Sequence, residues 1–300
     1  MIAAVVNPQS ASGKTKREWP SIARALEGRA GDVTARFTKQ RGHAIALTRE
    51  LLEQGFETIV AVGGDGTVNE VANGFFRDGR PVRENAKLGV LPRGTGGDFR
   101  RSFGLPSRLD DAIEIVAHGK SRRIDMARAV FRGGERLFIN LTSFGMGGEV
   151  AARSRNALSP LSGKLAFLYA TANVFLRYRP KAVRLRLDGH DAGEHTILNI
   201  AVGNGPFHGG GMHVCPRALM DDGLLEVTVI HHLGLLQLAR DLPVLYSSDI
   251  YRHPKTRHFR AQRVEAYCDE TASIEVDGEP LGSLPLEITV MPRAIEVLAP

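Results

Sequence analysis

The sequence predicts two domains: an α/β N-terminal domain, then a mainly antiparallel β C-terminal domain of sandwich or barrel type. Three observations carry this reading. The first half alternates short apolar runs with segments of helical spacing. The second half is dominated by strand-like runs separated by Asp-Gly turns. The chain has 300 residues, 43% hydrophobic and 24% charged. That is ordinary globular composition and enough length to bury a core without staples.

The apolar runs of the first half are Ile2–Val6, Val33–Phe37, Thr58–Val62 and Lys87–Leu91. Between them lie helical stripes: Ile22, Ala25 and Leu26; Ala44, Leu47, Leu51 and Leu52; Val68, Val71, Ala72 and Phe75. Strand and helix alternating at this spacing imply parallel strands joined by crossover helices. Ligands on such sheets bind at the carboxyl ends of the strands. The boundary is expected near Lys120–Asp125, giving domains over 1–124 and 125–285. The second half offers strands at Ala182–Leu187, Ile197–Val202, Leu224–Ile230, Val264–Ala266, Ser273–Val276 and Leu286–Val290. Asp188-Gly189, Asp222-Gly223 and Asp277-Gly278 punctuate them. A helical stretch at about Gly163 to Tyr178 interrupts the series.

Two cysteines, Cys215 and Cys268, exclude a disulfide framework and a cysteine-rich zinc site. They read as free thiols in a reducing compartment. No apolar run reaches the roughly 18–20 residues of a membrane span, so the expected location is the cytoplasm. Lys plus Arg is 39 against 33 for Asp plus Glu, a net charge of +6. Such a balance favours phosphate, anionic lipid or nucleic acid as partners, and on charge alone plain solubility is the preferred alternative. The charges are scattered, without the run that marks a nucleic-acid arm, and no nucleic-acid partner is expected.

Three loops at strand ends carry the chemistry. Gly63-Gly64-Asp65-Gly66-Thr67-Val68-Asn69-Glu70 follows the third strand and opens a helix. Its glycines let the backbone turn tightly and approach a ligand, and amides at a helix start favour anions. Leu91-Pro92-Arg93-Gly94-Thr95-Gly96-Gly97-Asp98-Phe99 repeats the pattern after the next strand. Asp65 and Asp98 can share a Mg2+ ion through water, since that ion keeps several waters and few carboxylates. Asn7-Pro8-Gln9-Ser10-Ala11-Ser12-Gly13-Lys14-Thr15 looks like a Walker loop, but Pro8 stands at the first glycine. Proline has no N–H to donate, so that reading is rejected, and Ser12, Gly13 and Lys14 are left as candidate phosphate contacts.

Together these loops resemble the diacylglycerol kinase catalytic domain family, which includes bacterial lipid kinases, sphingosine kinases and ceramide kinases. The resemblance implies an ATP- and Mg2+-dependent transfer of the γ-phosphoryl group to a lipid hydroxyl. It places Asn7, Thr38, Gly63 to Thr67, Asn69, Glu70, Gly94, Thr95 and Asp98 around ATP, with Thr38 on the adenine side. Asp65 and Asp98 fall in a magnesium–water network. Asp125 resembles a further member, and a turn residue is the alternative. Cys215 to Leu225 resembles a segment that binds a structural Mg2+; here Asp222 would give its side chain, and Leu219 and Leu224 their carbonyls. A plain Asp-Gly turn is the alternative. In Glu275-Val276-Asp277-Gly278-Glu279-Pro280 the matching glutamate, Glu279, is the general base, with Asp277 orienting it or a metal water; an exposed hairpin turn is the alternative.

The resemblance also suggests that 286–300 returns to the first domain and that the protein forms a homodimer. A lipid acceptor implies transient membrane contact. The segment 161–180 offers Leu165, Leu168, Tyr169, Ala172 and Phe175 beside Arg177, Arg179 and Lys181, against the alternative of an amphipathic core helix. Departures from the pattern are Arg93, Gly97 for asparagine, Arg100-Arg101 for Ala-Arg, and Glu149 for aspartate. Two rival functions remain: an NAD-kinase-like enzyme of the same superfold, and a decayed nucleotide- or lipid-binding regulator.

Overall fold

Residues 1–156, 171, 173–234, 237 and 240–300 are described by a computed structural model, with the backbone alone at 154–156. The expected helix at Gly163–Tyr178 and the apolar part of 161–180 fall mostly outside the described residues. The chain divides into two compact units, Met1–Met126 with Pro292–Pro300, and Ala127–Met291.

The first unit is built on β1 (Ile2–Val6), β2 (Val33–Phe37), β3 (Thr58–Gly63) and β6 (Lys87–Pro92). All pair in parallel, in the order β6-β3-β1-β2. Residues of both parities are buried: Ala4, Val6, Val60 and Val62 on one face, Ala3, Val5, Ile59 and Ala61 on the other. Parallel sheets need that double cover. On one face the apolar stripes of α1 (Lys14–Ala30) and α5 (Leu109–His118) meet the sheet through Ile22, Leu26, Ile113 and Val116. α2 (His43–Glu53) and α3 (Asp65–Gly74) pack against each other. A two-stranded ribbon, β4 (Phe76–Arg77) with β5 (Arg80–Pro81), and the short α4 (Asp98–Phe103) complete the run. The end of β17 (Leu286–Ala299) adds a parallel edge, Glu296 and Val297 facing Lys87 and Leu88.

Chain connectivity reverses between β1 and β3. β1 leads outward to β2, and β3 leads outward to β6. The crevice at that switch point is where an open α/β sheet binds ligands. Val6, Val62 and Leu91 stand in register, so the loops that follow these strands emerge side by side.

The second unit is antiparallel. The path β16 (Glu279–Ser283), β15 (Ser273–Val276), β9 (Leu141–Gly145), β11 (His190–Gly203), β10 (Lys181–Leu187), β14 (Arg263–Cys268) ends on the first half of β17. β12 (Leu225–His231) pairs with β11 and β13 (Thr256–Ala261), and β7 (Lys120–Phe131) with β8 (Gly134–Phe138). α6 (Met146–Asn156) packs on β15. The core gathers Phe138, Phe144, Leu185, Ile200, Val227 and Ile288. Asp188-Gly189 and Asp277-Gly278 make hairpin turns with positive φ at both residues, as tight hairpins require. Asp222-Gly223 makes no hairpin; it closes a long loop that leads into β12. β7, β8, β9 and β13 carry no clean alternation in the sequence, and their pairing partners define them. Cys215 is fully buried, and burial pushes its thiol up to about 12, so it is an inert core group.

Phe144 has no solvent exposure and lies on the central strand β9. Phe144→Ala is expected to lower unfolding free energy by about 3–5 kcal/mol, the range for a buried aromatic truncated in a packed core. Urea denaturation reads this directly. A loss under about 1 kcal/mol would mean that the core collapses around the cavity.

Candidate active-site residues

The crevice is assembled by backbone contact between glycines. A Cβ on Gly94 would lie 2.5 Å from the Gly64 Cα, and one on Gly63 would lie 2.4 Å from the Thr67 hydroxyl oxygen. The two loops can therefore touch only without side chains there. The Arg93 amide donates to the Gly63 carbonyl at 2.7 Å, which fixes their register. The first loop joins through Asn7, whose side-chain amide donates to Thr67 Oγ1 at 3.0 Å.

Asp65 fastens the assembly. Its Oδ2 accepts from the Gly97 amide at 2.8 Å and its Oδ1 from the Phe99 amide at 3.0 Å. It thus caps α4 from another helix. Gly97 has φ +69, a conformation that glycine and asparagine tolerate best. The bond to Asp65 uses the Gly97 backbone N–H, so it needs no asparagine side chain there. Burial first, and the Asp98 charge second, raise Asp65 above its ordinary 3.8, opposed by the backbone hydrogen bonds. The stabilisation of protonated Asp65 is full below 3.8 and is lost as pH rises through the folded value. A cation beside the pair would relieve that repulsion, so these hard oxygen donors fit Mg2+.

Other motif residues turn out to hold backbone. The Glu70 carboxylate accepts from the amides of Gly42 at 2.7 Å and Ala44 at 3.2 Å. It pins the start of α2, just past Thr38, whose own amide donates to Val6. Asn69 is buried and accepts from Asn73 at 3.2 Å within α3. Gly66 lies in the first turn of α3, and no side chain caps that helix start. Thr95 is exposed on the Gly94 loop. In the first loop the amides of Gly13 and Lys14 bond back to Gln9, Ser10 and Ala11, so they do not form a phosphate cradle. The extra arginines are engaged too: Arg93 with Glu18, Arg100 with the Leu105 carbonyl, Arg101 with the Gly96 carbonyl and with Asp98 at 3.2 Å.

Asp125 is completely buried, and its Oδ1 accepts from the Arg293 amide at 2.7 Å. It anchors the returning segment. Among the described residues no three His, Cys, Asp or Glu side chains gather to hold a metal ion, so Asp125 does not complete a direct cluster with Asp65 and Asp98.

In the second unit the Asp277 carboxylate accepts from three successive amides, Ile139, Asn140 and Leu141, at 3.1, 3.3 and 2.8 Å. These bonds fasten the turn before Glu279. Sequence reasoning gave Glu275 no role, and it read His208 as a structural or surface residue. Glu275 is 1% exposed; its Oε2 accepts from the Gly278 amide at 2.7 Å, and His208 Nε2 lies 3.3 Å from its Oε1. A glutamate inside the apolar run Ile274–Val276 is the signal that would have found it. Glu279 opens β16, half-buried. The Asp222 carboxylate accepts from the Leu224 amide at 3.0 Å and is ion-paired with Arg260. The Leu219 side chain is exposed.

The diacylglycerol kinase catalytic domain family matches residues 1–129, and the YegS C-terminal NAD kinase beta sandwich-like domain matches residues 141–299. The chain belongs to the diacylglycerol kinase family of lipid kinases. A diacylglycerol kinase of Staphylococcus aureus (strain MRSA252) is 27% identical over 297 residues, covering 99% of this chain and 91% of that protein. A diacylglycerol kinase structure from Bacillus anthracis str. Sterne aligns with TM-score 0.72 at 21% identity, over 100% of this chain and 96% of that one. An ATP complex of an NAD kinase from Archaeoglobus fulgidus aligns with TM-score 0.54 at 16% identity, over 99% and 93%. Both structures share the fold. No helix among the described residues is long and apolar enough to cross a membrane.

Two measurements probe this crevice. Gly94→Ala is expected to abolish nucleotide binding by calorimetry, because the new methyl meets Gly64 backbone; unchanged affinity would show that the two loops need not touch. Asp98→Asn removes the like charge and is expected to lower the Asp65 pKa in a carboxyl NMR titration. An unmoved Asp65 would leave burial as the sole cause.

Proposed function

We propose that the protein transfers the γ-phosphoryl group of Mg-ATP to the primary hydroxyl of a diacylglycerol-type lipid. The observation that carries this is the Asp65–Asp98 pair set at the crevice where the three strand-end loops meet. Phosphoryl transfer is mostly positioning and charge neutralisation, and the crevice supplies both. The first turn of α3 presents the amides of Asp65, Gly66 and Thr67 without a side-chain cap. Such amides have no partner within the helix and bind phosphate oxygens well. Thr67 and Thr95 add hydroxyls, and Thr38 lies at the end of β2, where the adenine is expected. Mg2+ would be held by Asp65 and Asp98, directly or through water, and would neutralise charge on the transferring group.

Glu279 is the general base of this reading. It takes the acceptor hydroxyl proton as the oxygen–phosphorus bond forms; the bond to the β-phosphate oxygen breaks and ADP leaves. Asp277 and Glu275 act through it, because both hold the turn that presents it. The lipid is reached by peripheral contact of a cytoplasmic protein with a membrane surface. Support comes from the family, from the identities shared with named diacylglycerol kinases and from the net charge of +6.

ADP release with Mg-ATP and mixed micelles of diacylglycerol, monoacylglycerol, ceramide or phosphatidylglycerol tests the reading, with NAD as a separate acceptor. Glu279→Gln is expected to lower kcat by about 10²–10⁴-fold with little change in KM for ATP, the usual span for losing a general base. Turnover with NAD alone would move the protein to NAD phosphorylation. ATP binding without turnover on any acceptor would favour a binding protein.

A further inference from the structure

The resemblance assigns a structural Mg2+ to Asp222 with the carbonyls of Leu219 and Leu224, and the donors present do not fit it. A hard divalent ion would have Asp222 as its one charged ligand, and it is repelled if a positive charge is fixed against that carboxylate. One Asp222 oxygen already accepts from the Leu224 amide at 3.0 Å, and the other is ion-paired with the Arg260 guanidinium. We propose that Arg260 is the resident cation of this loop, so that the loop folds and stays closed without a divalent metal.

Arg260 is fixed there by a second carboxylate. Glu226 is 1% exposed on β12, opposite Arg260 of β13 in the strand register. Its Oε1 lies 3.0 Å from Arg260 Nε, and its Oε2 accepts from the Tyr251 hydroxyl at 2.9 Å. Tyr251 is itself held by two neighbours that also touch each other, Arg217 and His258. His258 stacks on it at 4.2 Å, and the Arg217 guanidinium sits 5.4 Å from its ring centre. The guanidinium cannot lose its proton. If it swung away, Glu226 would be left buried with its charge unpaired, a strongly unfavourable state. A divalent ion at Asp222 would therefore lie beside a positive charge that can neither neutralise nor leave. Arg260 does for the loop what a metal does. It ties Asp222, at the loop's end, to a buried anchor in the sheet.

The inference does not depend on which acceptor the enzyme uses, and its readout is stability. Thermal unfolding of the nucleotide-free protein is compared in EDTA and in Mg2+ at about 10 mM, since a ligand stabilises only the native state that binds it. The wild-type Tm is expected to agree in the two buffers within about 1 °C. Arg260→Gln is expected to lower Tm clearly in both, and Arg260→Lys to lower it less. A wild-type Tm that falls in EDTA, recovers saturably with Mg2+ and loses this response in Asp222→Asn would overturn the proposal. So would an Arg260→Gln protein as stable as the wild type. A Mg2+ response that persists in Asp222→Asn arises elsewhere and leaves the proposal standing. If Arg260→Gln does not fold, the wild-type, Asp222→Asn and Arg260→Lys curves decide.

Discussion

The carboxylate of Asp65 holding the amides of Gly97 and Phe99 is the constraint on which the nucleotide crevice depends. It brings the end of β3 to the start of α4, and the glycine contact between Gly64 and Gly94 leaves no room for another arrangement. The same bonds place Asp65 near Asp98, and burial with like charge then raises its pKa. Geometry and electrostatics at this point have one cause: an acid turned inward to satisfy backbone also lies beside a second acid.

That device recurs across the molecule. Glu70 holds the start of α2, Asp125 the returning segment at Arg293, and Asp277 the amides of residues 139–141. Asp188 accepts from the amides of Gln262 and Arg263 in the same way. Loops carry backbone groups that no ladder satisfies, and a buried one must find a partner. In this chain the partners are often carboxylates from distant elements. Most acids in the family motifs are therefore fasteners of backbone.

The arginines follow a complementary rule. Arg93, Arg101 and Arg260 each meet an acidic side chain, Glu18, Asp98 and Asp222 respectively. A planar guanidinium can join two acceptors at once, as Arg260 joins Asp222 to buried Glu226. The positive charges of the sequence thus include several committed to internal pairs, each of which takes up one acid and leaves the net excess of +6 unchanged.

The sequence by itself determined the parallel first unit. Its strands are continuous apolar runs, and its loops are glycine-rich at strand ends, both of which follow from neighbouring residues. It also determined the hairpins at Asp188-Gly189 and Asp277-Gly278, where positive φ is a local demand. Strands such as β7 and β13 were not legible, because pairing rather than side-chain alternation makes them. Only the tertiary structure decided which acids face a ligand and which face backbone. Asp277 meets residues 139–141 and Arg260 meets Asp222 across long stretches of chain. Spacing along a sequence carries no record of such contacts, since folding, not proximity in the chain, brings those groups together.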